Sequence, residues 1–207
     1  MTEVRVSFPT RDGLQLEGLL SRGEEGGRGC IILCHPHPLY GGDMYNNVVG
    51  ALQGALACKG FSTLRFNFRG VGGSEGCYGE GAAEVEDVQA AVAFGAGEGD
   101  GPLYLAGYSF GAYAGVRGVA ADDRVKALAC ISPPMAIYDF APLREERRPK
   151  LIVAGKRDLI CPVAPLEKLF VSLPQPKALH IVDEADHFWW GIEEQVADYV
   201  IDFLQGL

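Results

Sequence analysis

Gly107-Tyr108-Ser109-Phe110-Gly111 sets a serine between two glycines, after the apolar run Leu103-Tyr104-Leu105-Ala106 and before an alanine-rich stretch. Strand, sharp turn and helix in that order form the setting of a nucleophile elbow. A reversal this tight leaves no room for a side chain on either flank, so Gly107 and Gly111 permit it and Ser109 projects at a helix N-terminus. The backbone N–H of Phe110 is then free to stabilise an oxyanion, helped by the positive end of the helix dipole. A serine hydroxyl is a weak nucleophile near neutral pH; it needs a base, and the base needs a carboxylate to fix its tautomer. Downstream, Asp158 lies in Gly155-Lys156-Arg157-Asp158-Leu159-Ile160-Cys161-Pro162 and His187 in Ala185-Asp186-His187-Phe188-Trp189, each just past a strand-like run. The expected catalytic set is Ser109 as nucleophile, His187 as base and Asp158 as orienting carboxylate.

Other residues compete for these roles. Of the four histidines, His180 falls inside a strand pattern, which suits a core or face position. Asp183 and Asp186 are near His187 in sequence, but a carboxylate from a separate loop orients an imidazole more rigidly, which favours Asp158; Asp139 ranks third. His35-x-His37 has the look of a metal pair, yet only His180 and His187 remain to complete a ligand set, so no metal is expected. In Gly70-Val71-Gly72-Gly73-Ser74-Glu75-Gly76 the dinucleotide register puts its third glycine at Glu75, where a negative side chain would face phosphates. No cofactor is expected. Arg65 and Arg69 read as loop residues bonded to carbonyls. Phe188, Trp189 and Trp190 fill core for the last helix, with one of them walling an acyl pocket beside Ile137 and Tyr138; Tyr40, Met135 and Trp189 are the substrate-binding residues chosen.

These side chains require a scaffold. Val4–Phe8 and Leu14–Leu20 read as a hairpin around Arg11-Asp12-Gly13. From Cys30 onward short apolar runs alternate with helical stretches: strands at Cys30–Cys34, Thr63–Phe68, Leu103–Gly107, Val125–Ile131, Lys150–Ala154 and Ala178–Val182, and helices at Asn46–Lys59, Ala82–Phe94, Phe110–Ala121, Val163–Ser172 and Ile192–Gln205. Such alternation predicts an α/β fold, a mostly parallel sheet of about eight strands covered by helices on both faces. The glycine-rich run Gly95 to Gly101 reads as a loop. Ser132 to Lys150 is short and broken by Pro133, Pro134, Pro142 and Pro149, which leaves no room for a lid domain.

With 207 residues, 48% hydrophobic and 22% charged, the chain can bury a core, and disorder is excluded. One domain over residues 1–207 is expected. A formal net charge of -9 repels phosphate backbones and anionic headgroups, so neither nucleic acid nor membrane is an expected partner. Met1-Thr2-Glu3-Val4-Arg5 lacks the pattern of a signal peptide. Six cysteines without a Cys-x-x-Cys pair read as reduced thiols of a cytoplasmic protein.

The Ser109, Asp158, His187 order and the strand contexts give a chain that resembles the α/β-hydrolases, specifically the small, lidless bacterial type akin to dienelactone-hydrolase-related esterases. The resemblance runs from Cys30 to the end. It includes His35-Pro36-His37-Pro38-Leu39-Tyr40-Gly41-Gly42, where the superfamily usually carries His-Gly and a second oxyanion donor, and Asn67-Phe68-Arg69-Gly70-Val71-Gly72-Gly73-Ser74 after the next strand. Pro36 and Pro38 have no N–H to give, and position selects His37. Dienelactone hydrolases proper use cysteine where this chain has Ser109. The resemblance implies hydrolysis of small soluble carboxylic esters through an acyl-enzyme, without a cofactor. A thioesterase or small peptidase would use the same machinery, and a non-catalytic ligand-binding protein on the same scaffold is the reading from another class.

Overall fold

The short apolar runs form the strands of one sheet, and the segments between them supply its covering layers. A computed structural model describes residues 3–23, 27–99 and 101–207. Met1 and Thr2, which begin the N-terminal pattern, and Asp100 in the glycine-rich run lie outside the described residues. Along the chain the elements are β1 (Glu3–Pro9), β2 (Gln15–Ser21), β3 (Cys30–Cys34), α1 (Asn47–Cys58), β4 (Ser62–Phe66), α2 (Glu84–Ala96) and β5 (Leu103–Tyr108). They continue with α3 (Phe110–Gly118), β6 (Val125–Ile131), β7 (Lys150–Gly155), α4 (Val163–Ser172), β8 (Lys177–Val182) and α5 (Glu193–Gln205).

The eight strands lie in the order β1-β2-β4-β3-β5-β6-β7-β8. β2 is antiparallel both to β1 and to β4; every pairing from β4 through β8 is parallel. Period-two alternation assigns the faces. Ile31 and Leu33 of β3 join the cluster under α1 and α5, with Tyr104, Ala106 and Tyr108 of β5. Ile32 and Cys34 face the opposite way, toward α2 and the hairpin. A third cluster packs Cys130, Ile152 and Ala154 against α4. Both faces of the parallel strands are therefore apolar, which is why these strands read as continuous hydrophobic runs rather than alternating ones.

Several element ends shift by one to three residues from the sequence expectation, and at two of them neighbouring contacts give the local reason. The fourth strand stops at Phe66 rather than Phe68: the Asn67 N–H still reaches the Glu17 carbonyl opposite it, but its side chain accepts the Met44 N–H at 2.8 Å and the next N–H, of Phe68, turns to His35 Nε2 at 3.0 Å. Helix α2 continues through Gly95, which was expected to open a loop. A side chain there would come within 2.7 Å of Ile32 on β3, so this glycine serves helix-to-sheet contact.

The direction in which successive strands are added to the sheet reverses at β3, with β4 on one side and β5 on the other. In open parallel sheets, ligands bind beyond the carboxyl ends of the strands at such a switch point. Between β6 and β7 the described residues hold only a 3₁₀ turn (Ala141–Arg144) and no lid domain. Among the described residues no helix is long and apolar enough to cross a membrane.

Candidate active site

Ser109 ends the turn between β5 and α3 with φ 53°, a left-handed conformation that a non-glycine residue holds only at a cost. Its neighbours explain how the turn closes. A Cβ on Gly107 would meet the Gly111 carbonyl at 2.4 Å, and one on Gly111 would meet the Cys34 carbonyl at 2.2 Å. The Ser109 N–H donates to the Ile131 carbonyl at 2.8 Å, tying the elbow to the end of β6.

The hydroxyl points to a base. Ser109 Oγ lies 2.9 Å from His187 Nε2, and His187 Nδ1 lies 2.8 Å from Asp158 Oδ2. Asp158 follows β7 and His187 follows β8, so the structure brings together the three residues that the sequence proposed. The carboxylate needs its Nδ1 partner protonated, which leaves Nε2 as the acceptor for the Ser109 hydroxyl. Oδ1 of Asp158 accepts the N–H groups of Ile160 and Cys161 at 2.9 and 2.7 Å. Burial pushes the Asp158 carboxyl up, but the hydrogen bond and charge of the His187 imidazole and the hydrogen bond from Cys161 N–H hold it below its ordinary range. The rivals are engaged elsewhere. Asp183 pairs with Lys156, Asp186 accepts the Phe188 N–H, Asp139 accepts the Ala141 N–H, and His180 stacks on Tyr199 at 4.1 Å. Arg65 reaches the Met44 carbonyl and Glu3, while Arg69 is held by Asp87 and Asp12 instead of loop carbonyls.

On the other flank, the Pro36–Gly42 loop leaves β3 beside the elbow. His35 is fully buried; its Nε2 accepts the Phe68 N–H at 3.0 Å, so Nδ1 carries the proton and donates to the Pro36 carbonyl at 2.6 Å. Burial lowers its pKa to about 4. In this loop Pro36 and Pro38 have no N–H, and those of Leu39, Tyr40 and Gly42 bond to His37 itself. The N–H of His37 has no partner among the described residues, nor has that of Phe110, which opens α3. These are the two donors that the sequence assigned to an oxyanion. The His37 ring bonds Tyr78 Oη at 3.1 Å and packs on Tyr40, Tyr78 and Phe110.

A cavity of about 450 Å³ opens over Ser109 and His187, walled by Tyr40, Ile137, Tyr138, Ile160 and Phe188 among others. No Asp, Glu, Lys or Arg lines it among the described residues. Tyr40 is where the sequence put it, but the other two substrate-binding choices are corrected. Trp189 is fully buried in the cluster under α5, because it folds back at φ 62° and gives its Nε1–H to Ser132 Oγ at 3.0 Å. Phe188, half exposed, takes the wall position instead. Met135 packs toward the cluster under α4 and lines a neighbouring groove, where the turn after Pro134 carries Ile137 and Tyr138 to the cavity and leaves Met135 behind. Two contacts had no signal of their own in the sequence. Tyr108 Oη donates to the His187 carbonyl at 2.6 Å, and Ser132 Oγ accepts the Trp189 Nε1–H at 3.0 Å. Their positions, inside the elbow motif and directly after β6, are the only hints available.

Comparison with known proteins agrees with this architecture. The family model of X-Pro dipeptidyl-peptidase (S15 family) matches residues 12–152, a span that includes the elbow and stops short of Asp158 and His187. An uncharacterised protein of Rickettsia prowazekii is 31% identical over 201 residues, covering 92% of this chain and 84% of that protein. An α/β serine hydrolase homologue from Coxiella burnetii superposes with a TM-score of 0.86 at 35% identity, covering 100% of this chain and 98% of that one. An α/β serine hydrolase without a lid from Xanthomonas campestris superposes with a TM-score of 0.88 at 27% identity, over 100% and 95% of the two chains. The two solved structures are described as an α/β serine hydrolase homologue and an α/β serine hydrolase without a lid, both bacterial, and neither singles out the dienelactone hydrolase group.

Proposed function

For this chain, which belongs to the X-Pro dipeptidyl-peptidase (S15) family and has the α/β-hydrolase fold, we propose hydrolysis of small carboxylic esters with an uncharged acyl group. The observation that carries the reading is the continuous line from Ser109 Oγ to His187 Nε2 and from His187 Nδ1 to Asp158, with both links under 3 Å. Ser109 attacks the acyl carbon while His187 takes its proton and Asp158 stabilises the imidazolium. The N–H groups of Phe110 and His37 receive the oxyanion of the tetrahedral intermediate. His187 then returns the proton to the leaving alcohol. Water, deprotonated by the same imidazole, resolves the acyl-enzyme and releases the acid.

The cavity bears on substrate class. A peptide with a free amino terminus carries a positive charge, which a desolvating site must match with an anion. The carboxylate-free lining favours a neutral acyl group over such a peptide. Thioesters meet the same requirement as esters and are the second reading. A reducing, cytoplasmic setting suits the six free thiols.

The test pairs covalent labelling with turnover. A fluorophosphonate probe should label Ser109, and a panel of p-nitrophenyl esters, thioesters and aminoacyl-prolyl amides should show ester turnover far above that of the charged amides. Labelling without turnover of any ester or thioester would overturn the esterase reading. Absence of labelling would point to a ligand-binding protein on this scaffold.

A further inference from the structure

The turn that carries the base is short of backbone partners. Among the described residues the carbonyls of His187 and Phe188 receive no backbone N–H, and a buried carbonyl such as that of His187 is costly to leave unpaired. Side chains from two other elements supply the donors. Tyr108 Oη donates to the His187 carbonyl at 2.6 Å, while Asn47 Nδ2 donates to the Phe188 carbonyl at 3.0 Å and to Glu193 Oε1 at 2.8 Å. Asn47 opens α1 and Glu193 opens α5, so the second anchor joins the turn to the helices.

Tyr108 stands elsewhere. It immediately precedes Ser109 and, with Tyr104 and Ala106, points from β5 to the face under α5, where only 3% of it is exposed. One side chain therefore ties the backbone of the nucleophile to the backbone of the base. The peptide bond from Tyr108 to Ser109, the 2.9 Å contact from Ser109 Oγ to His187 Nε2 and the 2.6 Å bond from Tyr108 Oη to the His187 carbonyl complete a closed ring. The phenol and imidazole rings lie side by side at 5.7 Å. Burial and the negative charge of Asp158 push the phenol up, which keeps it protonated and a donor.

We propose that Tyr108 is a positioning residue: its hydroxyl holds the His187 carbonyl and so fixes the imidazole at proton-transfer distance from Ser109. This inference rests on the esterase reading above. Misplacing a reacting group by about 1 Å can cost on the order of 10²-fold in rate, so a partial loosening of the turn has a measurable cost while the acyl cavity keeps its lining.

The experiment compares Tyr108→Phe with Asn47→Ala, read by kcat, KM and Tm on a p-nitrophenyl ester. Each variant removes the side-chain donor to one carbonyl of the turn, so both should lower Tm, but only the first opens the ring that includes Ser109. Tyr108→Phe should lower kcat by about 10-fold to 30-fold with KM within about twofold of the parent. Asn47→Ala should keep kcat within about threefold of the parent. A Tyr108→Phe kcat within about threefold of the parent, or an equal or larger kcat loss in Asn47→Ala, would overturn the proposal. Placing 4-aminophenylalanine at position 108 returns an N–H donor to the same place, and kcat should then stand within about fivefold of the parent, even where Tyr108→Phe fails to fold. A folded amino variant as slow as Tyr108→Phe, or more than about 10-fold below the parent, would also sink it.

A last measurement needs no substrate and so separates this proposal from the esterase reading. The downfield proton resonance of His187 Nδ1–H in the resting protein should shift or broaden in Tyr108→Phe and stay in place in Asn47→Ala. An unchanged resonance in Tyr108→Phe would end the proposal whatever the ester panel gives. A shifted resonance in a protein that turns over no ester would remove the esterase reading and leave the positioning role standing.

Discussion

His35 and His187 stand on opposite flanks of Ser109, and the same side chain does opposite work in the two places. His35 is saturated by backbone, with the Phe68 N–H on one nitrogen and the Pro36 carbonyl on the other. Without a counter-charge beside it, burial keeps it neutral with a pKa lowered to about 4. It splices the loop after β3 to the loop after β4, and so fixes the donor side of the site. His187 has a carboxylate on one nitrogen and a hydroxyl on the other, partners that can stabilise a gained proton and supply one. What separates a structural from a chemical imidazole here is therefore the partner set. Burial does not separate them, since both rings are largely enclosed.

The largest test of that contrast removes the atoms of the reacting flank. Ser109→Ala should lower kcat by about 10⁴-fold or more while the urea unfolding midpoint stays near the parent value. Ester turnover near the parent level would end the assignment. Asp158→Asn should cost about 10³-fold to 10⁴-fold, because the amide cannot accept the Nδ1 proton in the same way and the imidazole loses its tautomer. A loss of less than tenfold in kcat would mean that another group orients the base.

The other flank should answer to pH in stability. His35 titrates at about 4 when folded, against about 6.5 in an unfolded chain. Between these values the unfolded state binds a proton that the native state refuses. Stability is therefore complete above pH ~6.5 and is lost as pH falls toward 4, by about 2 kcal/mol at pH 5 for this group alone. Urea denaturation at pH 7 and pH 5 should show a steeper loss for the parent than for His35→Gln, in which that titration is absent. Parallel losses in the two proteins would mean that His35 is protonated in the native state, and the contrast between the flanks would collapse.

Sequence made the chemistry legible where types and order are constrained by mechanism. The elbow glycines, the carboxylate after β7 and the imidazole after β8 each follow from what acyl transfer requires of a parallel sheet. The fold was legible for the same reason, since doubly buried strands write themselves as apolar runs. What escaped detection depends on side-chain direction within a turn. His187, Phe188, Trp189 and Trp190 are consecutive, yet they face the site, the cavity wall, the core and solvent in turn. A left-handed backbone at Trp189 sets that sequence of directions, and no periodicity in the residue types announces it. Ser132 was hidden likewise, as a lone hydroxyl after β6 whose partner, the Trp189 indole, comes from the turn after β8.

The smallest expected effect tests this turn directly. Phe188 walls the cavity and Met135 lines the groove beside it. If the reacting flank also supplies acyl contact, removing the phenyl ring should weaken ground-state and transition-state binding equally, which raises KM and leaves kcat nearly constant. Burying one apolar side chain against a ligand is worth about 1–2 kcal/mol, so Phe188→Ala should raise KM for a butyrate or hexanoate ester by about fivefold to 30-fold. An acetate ester, whose methyl reaches less of the wall, should respond less. Met135→Ala should leave KM for all three within about twofold, because its thioether faces the groove. Equal sensitivity to the two substitutions would mean that the acyl chain runs past Ile137 and Tyr138 into the groove. The boundary between the two spaces would then have to be redrawn around those side chains.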